Sequence, residues 1–236
     1  MKGKLFGIGL GPGDPELLTL KAVSTIKKCG VIAVPKTIEG ENVAFSIVEP
    51  YLHGKELLEC RFIMEIDMAK RQEARRIAAA QIIAFLDTGK HVGFVTLGDP
   101  TTYSTYMYVH EIVMGKGFDA EIIPGVTSYA AAAAALGLAL CEDNDTLTLI
   151  PANHCDNLDV LLDTPGNKVI MKSGGNLRSV LEKLKEHGLA ANTAIASRVT
   201  MDGERLYASI DEYEKSPETG YFTVAIVKGK KINHET

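Results

Sequence analysis

The segment GIGLGPGDPELLTLKA, residues 7–22, places glycine at every second position from Gly7 to Gly13 and follows it at once with Asp14-Pro15-Glu16. The apolar run LFGIGL that leads into it reads as a strand. The turn leaving that strand opens a helix, with Asp14 as N-cap, Pro15 at the first helical position and Cys29-Gly30 at the end. A strand, a glycine turn and a helix in succession point to an α/β fold. Turns of this kind often hold phosphate on a helix N-terminus, but this one lacks the pattern. The dinucleotide fingerprint G-x-G-x-x-G meets Pro12, Asp14 or Glu16 in its last slot, depending on whether it starts at Gly7, Gly9 or Gly11. A P-loop ends in Gly-Lys-Ser/Thr, and after Gly7 no lysine follows until Lys21. Asp14 and Glu16 also put negative charge where a helix dipole would attract an anion. The turn therefore suits a neutral or cationic ligand, or the close approach of another backbone. A purely structural turn is the plainer alternative.

Outward from this turn the alternation continues. VIAVP (31–35) and LLECRF (57–62) read as strands, 67–88 as a long helix closed by Thr88-Gly89, HVGFVTLG (91–98) as a strand, 104–115 as a helix and AEIIP (120–124) as a strand. This order predicts a largely parallel sheet. In the second half DTLTLIP (145–151), NKVIMK (167–172), NTAIASRVT (192–200), GERLYAS (203–209) and YFTVAIVKG (221–229) read as strands, with helices near 156–163 and 175–187. GERLYAS follows its predecessor across a short turn, so part of this sheet is expected to be antiparallel. A boundary at Gly115-Lys116-Gly117 gives two α/β domains, 1–117 and 118–236.

The bulk numbers are those of a globular protein: 236 residues, 46% hydrophobic, 23% charged, net charge −5. Nothing in that balance suggests a nucleic-acid surface. No stretch approaches the ~20 apolar residues of a membrane span, and the start MKGKLFGIGL reads as a first strand rather than a signal peptide. Cys29, Cys60, Cys141 and Cys155 are scattered without a CxxC pair, which predicts reduced thiols in a cytoplasm and no zinc site. His154-Cys155 is the one adjacent pair of soft ligands, and neighbours in sequence point in different directions.

Two further glycine turns follow predicted strands. In TLGDPTTYST (96–105), Gly98 permits close approach and Asp99 stands at the carboxyl end of a strand, where open α/β sheets place their ligands; capping the next helix is the alternative role for Asp99. In IIPGVTSYAAAAAALG (122–137), Pro124-Gly125 turns the chain, Thr127 or Ser128 begins a helix, and the alanines at 131–135 let that helix pack closely. Three such turns together describe a backbone-lined cleft for a small, densely functionalised ligand.

In this order and spacing, GIGLGPGDPELLTLKA, TLGDPTTYS and IIPGVTSYAAA closely resemble the tetrapyrrole methylase family, S-adenosylmethionine-dependent methyltransferases of corrin and sirohaem synthesis. VIMKSGGNL and ASRVT fit at lower specificity. VPKT after the second strand, together with GDPTTYSTY, most resembles the branch that methylates C20 of precorrin-2 or cobalt-factor II. The resemblance implies two α/β domains with the cofactor between them, a cytoplasmic homodimer and a tetrapyrrole acceptor. Carried over by position, it implies cofactor contacts at Pro12, Leu97, Gly98, Asp99, Thr102, Thr127, Ser128, Met171, Val199, Thr200 and Phe222. Two positions depart from the family pattern: Lys172 after Met171, and Val199 before Thr200, stand where relatives often have glycine. A sulfonium donor without phosphate agrees with the acidic first turn.

Such a reaction needs little from the protein beyond alignment and exclusion of water, worth about 7–11 kcal/mol of barrier, because the leaving thioether is neutral. No catalytic triad is expected; Asp99 or Tyr103 is the candidate base if one assists loss of the acceptor proton. An acceptor rich in carboxylates calls for cations and N–H donors. Lys36, Thr37, Tyr103 and Arg61 are the candidate acceptor contacts, with Lys172 and Arg198 as further cations, each against the plainer alternative of a solvated surface charge. No protein-bound metal is expected. The rival readings are a family member acting on another tetrapyrrole carbon or on diphthine, and a non-catalytic nucleotide-binding module.

Overall fold

The computed structural model describes residues 1–36, 43–62, 67–217 and 222–229. The chain divides into two compact units, Met1–Thr127 and Ser128–Thr236. The first is built on five strands: β1 (Leu5–Gly9), β2 (Val31–Lys36), β3 (Glu56–Arg61), β4 (Val92–Thr96) and β5 (Ala120–Ile123). Their order is β3-β2-β4-β1-β5, and every pairing is parallel. The turn at Gly115–Gly117 lies within this unit, because β5 beyond it pairs with β1.

Among the described residues four helices cover the sheet: α1 (Leu20–Lys28), α2 (Val43–Val48), α3 (Met68–Asp87) and α4 (Tyr106–Gly115). The crossovers from β1 to β2 and β2 to β3 run one way along the sheet, and those from β3 to β4 and β4 to β5 run the other. Right-handed crossovers then place α1 and α2 on one face and α3 and α4 on the opposite face. The buried side chains follow suit. Ile8, Ile32 and Val95 pack with Ala22, Ile26 and Ile47, while Leu5, Val31 and Phe94 pack with Ala78, Ile82 and Val109. Covered on both faces, β4 is buried throughout, which is why it reads as an unbroken apolar run. Between the adjacent strands β1 and β4 the outgoing connections diverge, the place where open α/β sheets hold ligands.

The helix expected from Pro15 is two elements. Asp14 caps only a 3-10 turn, Pro15–Leu17, accepting from the Glu16 amide at 2.8 Å. Leu18 is extended, and Thr19 caps α1 by accepting from the Ala22 amide at 3.0 Å. The Asp-Pro signal is satisfied within one turn, and a second cap restarts the chain. The acidic pair Asp14 and Glu16 therefore precedes α1 instead of sitting on its N-terminus, so the case against an anion there rests on the turn's own charge and not on the α1 dipole.

The second unit carries β6 (Leu147–Pro151), β7 (Asn167–Met171), β8 (Thr193–Ser197), β9 (Arg205–Tyr207) and β10 (Thr223–Val227) in the order β6-β7-β10-β8-β9. Only β6 and β7 pair in parallel; the other pairings are antiparallel, including the expected one between β8 and β9. The helix α5 (Ser128–Ala135) lays Ala131, Ala132 and Ala133 against Val169, Ala196 and Val224. On the other face α6 (Leu158–Asp163), α7 (Leu177–Glu186) and α8 (Ile210–Lys215) bury Leu158, Leu181 and Ile210 against Ile150, Ile170 and Ile195. Two helices, α2 and α8, lie in stretches assigned to neither helix nor strand in the sequence.

Candidate functional site

The three glycine turns leave β4, β1 and β5, which are consecutive in the sheet, so their loops meet along one carboxyl edge. They are joined backbone to backbone. The Gly98 amide donates to the Gly11 carbonyl at 2.7 Å and the Gly11 amide returns the bond to the Gly98 carbonyl at 3.3 Å. Both residues are left-handed, with φ of 76° at Gly11 and 74° at Gly98, a conformation glycine adopts without steric cost. Beside this bridge the third loop packs so closely that a Cβ on Gly125 would lie 2.3 Å from the Gly98 carbonyl oxygen, and one on Gly9 would lie 2.6 Å from the Gly125 nitrogen. The alternating glycines of the first turn are thus contact points: Gly7 admits the ring of buried Tyr106, and Gly9 admits Gly125.

Asp99 ties the assembly. One carboxylate oxygen accepts from the Gly125 amide at 2.9 Å, and the other accepts from the Thr101 amide at 2.8 Å and from the Thr101 hydroxyl. It is 9% exposed. Thr102 is half-buried, its amide donating to the Asp99 carbonyl at 3.3 Å. Pro12 is buried, and Leu97 and Gly98 are half-buried. The Thr96 and Ser104 hydroxyls are 3.0 Å apart, and Tyr103, which precedes Ser104 in the chain, is left-handed and 43% exposed. Thr127 closes the unit.

The same edge carries the first candidate acceptor contacts. Lys36 ends β2 in register with Arg61 at the end of β3, and its ammonium lies 2.7 Å from the Glu59 carboxylate. Arg61 is exposed. Thr37 lies outside the described residues. The three loops themselves, 7–19, 96–105 and 122–127, contain no lysine or arginine and hold Asp14, Glu16 and Asp99. Among the described residues no atom beyond its chain neighbours lies within 4 Å of the Cβ position of Gly98, so the second loop turns bare backbone away from them. A backbone-lined, acidic edge fits a cationic donor and not a phosphate.

The remaining candidates gather within the second unit. Ser128 starts α5. Met171 ends β7, Val199 and Thr200 follow β8, and Phe222 precedes β10. Since β10 lies between β7 and β8, these residues share one edge of the second sheet. The Arg198 amide donates to the Phe222 carbonyl at 2.8 Å, and the Thr200 amide donates to the Glu204 carboxylate at 2.7 Å. Met171 and Val199 are buried. Among the described residues no cluster of three or more His, Cys, Asp or Glu is placed to hold a metal, and no helix is long and apolar enough to cross a membrane.

The family model for Tetrapyrrole (Corrin/Porphyrin) Methylases matches residues 4–213. The chain belongs to this family. It is 32% identical over 227 residues to a probable cobalt-precorrin-2 C(20)-methyltransferase of Methanocaldococcus jannaschii, covering 95% of this chain and 96% of that one. It is 31% identical over 240 residues to a precorrin-2 C(20)-methyltransferase of Sinorhizobium, covering 97% and 96%. The cobalamin biosynthesis protein CobIJ of Mycobacterium bovis is 32% identical over 239 residues, and the chain spans only 46% of its length. Among solved structures, a cobalt precorrin-4 methyltransferase, CbiF, superposes with a TM-score of 0.77 at 22% identity, covering 95% and 94%. A Thermus thermophilus uroporphyrin-III C-methyl transferase complexed with S-adenosyl homocysteine gives 0.72 at 22%, covering 96% and 97%. The expected fold, a parallel sheet followed by a mixed one in a methylase of this family, is therefore the observed one.

Of the residues that join the three loops, Gly98 and Asp99 are among the contacts the resemblance supplies, and Gly9, Gly11 and Gly125 are not. Their signal in the sequence is the alternation of glycine in the first turn and Pro-Gly in the third.

Proposed function

We propose that the chain transfers a methyl group from S-adenosylmethionine to C20 of precorrin-2 or of cobalt-factor II in corrin synthesis. The single observation that carries this reading is the cation-free, backbone-lined junction of Gly9, Gly11, Gly98 and Gly125 on a chain of the tetrapyrrole methylase family. The C20 position is supported by two relatives near 30% identity, each matched over almost its whole length. S-adenosylmethionine supplies a methyl group on a positively charged sulfur. The proposed contacts to it are Pro12, Leu97, Gly98, Asp99, Thr102, Thr127, Ser128, Met171, Val199, Thr200 and Phe222. A neutral thioether needs no general acid to leave, so the work of these residues is to bind, orient and exclude water. Both Asp99 oxygens already accept backbone hydrogen bonds, which favours a positioning role over that of a base. Lys36, Thr37, Arg61 and Tyr103 are the proposed acceptor contacts. Cobalt, where present, belongs to the acceptor. A cytoplasmic homodimer is part of the same proposal.

Incubation with S-adenosylmethionine and, separately, precorrin-2 and cobalt-factor II tests the reading. The expected result is a mass gain of one methyl group on at least one acceptor, placed at C20 by carbon NMR with labelled methyl. Transfer to another carbon or to diphthine alone, or binding of NAD or ATP in place of S-adenosylhomocysteine, overturns it. Light scattering tests the dimer.

A further inference from the structure

We infer that Arg75, stacked on Tyr108, receives a carboxylate arm of the acceptor and so helps to select it. This rests on the reading above that the acceptor is a tetrapyrrole polycarboxylate.

The helix α3 is longer than the strands it covers. Its 20 residues span roughly 30 Å at about 1.5 Å each, whereas the 5 residues of β1 span roughly 17 Å. Its last turn is fixed at the amino edge of the sheet, where the Gly3 amide donates to the Leu86 carbonyl at 2.7 Å. Its first turns therefore pass the carboxyl edge. The packing agrees: Ala74, Ala78, Ala79, Ile82 and Leu86 are buried, and none of residues 68–73 is. Arg71 and Arg75 continue the buried stripe at spacings of three and four, and replace apolar residues where the sheet ends. From Leu86 back to Arg75 is roughly 16 Å of helix, which brings Arg75 level with the end of β1. Side chains lean towards the N-terminus of a helix, here towards the edge where open α/β sheets hold ligands.

The Arg75 guanidinium carbon lies 3.5 Å from the centre of the Tyr108 ring. Tyr108 is exposed and stands in the first turn of α4. That turn is itself fixed: the buried Tyr106 ring lies against Gly7, and the Tyr106 amide donates to Ser104 Oγ at 3.2 Å. Stacking holds the guanidinium plane and leaves the N–H groups at its rim for a carboxylate. Arg75 is half-buried, and among the described residues no oxygen accepts a hydrogen bond from its side chain. Between residues 70 and 76 the chain carries Lys70, Arg71, Arg75 and Arg76 against Glu73 alone, a local positive field that draws an anionic acceptor.

Arg61, the exposed cation at the end of β3, takes a different arm. Its neighbour Cys60 packs in the core on the α3 side of the sheet, and alternation along the strand turns Arg61 to the other face. Lys36 lies on that other face, paired with Glu59 at 2.7 Å.

The test compares Arg75→Met, Arg75→Lys, Tyr108→Leu and Arg76→Met with the wild type. It uses absorbance titration with uroporphyrin III, kcat and KM with precorrin-2, and calorimetry with S-adenosylhomocysteine. Arg75→Met is expected to weaken uroporphyrin III binding and raise KM about tenfold, as loss of one charge-assisted contact would. Its kcat and S-adenosylhomocysteine affinity should stay within about twofold of the wild type. Arg75→Lys keeps the charge without the fork and should recover part of the loss. Tyr108→Leu leaves the guanidinium unstacked and should cost about threefold in both readouts. Arg76→Met removes the same charge from the next residue, which is paired with Glu73 at 3.7 Å, and should change neither. Unchanged uroporphyrin III affinity and KM in Arg75→Met overturns the inference. So does an equal loss in Arg76→Met, which would assign the effect to the general field of α3, or an equal loss of S-adenosylhomocysteine affinity. Failure of the wild type to methylate precorrin-2 and cobalt-factor II sinks the function proposed above, while the uroporphyrin III titration still decides the role of Arg75.

Discussion

Asp99 accepts a hydrogen bond from the Gly125 amide at 2.9 Å, joining the loop after β4 to the loop after β5 across 26 residues of chain. Its other oxygen accepts from the Thr101 amide and hydroxyl, so both carboxylate oxygens are engaged. Replacement by asparagine turns one acceptor oxygen into an amide donor that must face an N–H. Asp99→Asn is expected to cost about 1–3 kcal/mol, the range for a buried polar group left unsatisfied. It should also weaken S-adenosylhomocysteine at least tenfold while leaving the shape of the pH–rate profile intact. Loss of one limb of that profile with full stability would make Asp99 a proton-transfer group instead.

Gly125 tests the packing of the same junction without touching charge. A methyl group there would overlap the Gly98 carbonyl and the Gly9 backbone, neither of which can swing away as a side chain can. Gly125→Ala is expected to lose about 1–3 kcal/mol in urea unfolding. Gly115→Ala is the control: it is helical, has ordinary φ and meets nothing within 4 Å. It should gain up to about 1 kcal/mol. Equal effects at the two sites would mean that the close approach of the loops is not a constraint.

The loops were legible because each is a strand end followed by glycine and a capping group, signals that depend on a few adjacent residues. Which backbone atoms the glycines admit depends on strand order, and β1, β4 and β5 become neighbours only through crossovers that no local pattern encodes. The start of α1 was misread because two caps, Asp14 and Thr19, lie five residues apart and either begins a helix; the extended Leu18 between them decides it. The helix α8 carries a readable signal, Ser209 with Glu212 three residues on. Ser209 Oγ accepts from the Glu212 amide at 3.2 Å, and the Glu212 carboxylate accepts from the Ala208 amide at 2.7 Å. The six-residue α2 is too short to show a helical period.

His187, just beyond α7, sits between two carboxylates of α6. Its Nδ1 is 2.7 Å from Asp163 and its Nε2 is 3.2 Å from Asp159. Asp163 first and Asp159 second hold the imidazolium, so the pKa of His187 is raised above 6.5 in the folded chain. A raised folded pKa gives stability that is fully present below the unfolded value of 6.5 and is lost as pH rises through the folded pKa. His187→Ala should therefore lower Tm more at pH 5.5 than at pH 9. A larger loss at pH 9 would contradict the assigned ion pairs.

Glu121 on β5 shows the opposite sign. Lys21 of α1 lies 2.8 Å from one oxygen and Lys4 2.9 Å from the other. Their hydrogen bonds, that of Lys21 foremost, bring the Glu121 carboxyl from an ordinary 4.5 down to about 2. Stability from this group is present above pH 4.5 and is lost as pH falls towards 2. The side chain is about one-third exposed, so solvent screening limits the contribution to at most about 1 kcal/mol. Glu121→Gln should lower Tm slightly at pH 7 and not at pH 2, and 1 M salt should shrink the difference. A difference that persists at pH 2 would assign the effect to packing.

The four cysteines divide by environment. Burial pushes the Cys29 thiol up to about 12, against a smaller opposing pull from Lys55, and pushes Cys60 up to about 12 as well. Cys141 is exposed, and Cys155 is partly buried with its Sγ 3.3 Å from the Asn157 side-chain oxygen. Only the thiolate attacks an alkylating reagent, so at pH 8 the two buried thiols are both inaccessible and protonated. Native labelling with iodoacetamide should modify Cys141 rapidly and Cys155 more slowly, and all four cysteines in denaturant. Rapid native modification of Cys29, whose side chain lies where a Cβ on Gly93 of β4 would meet it at 3.1 Å, would show that the α1 side of the first sheet opens on the labelling timescale.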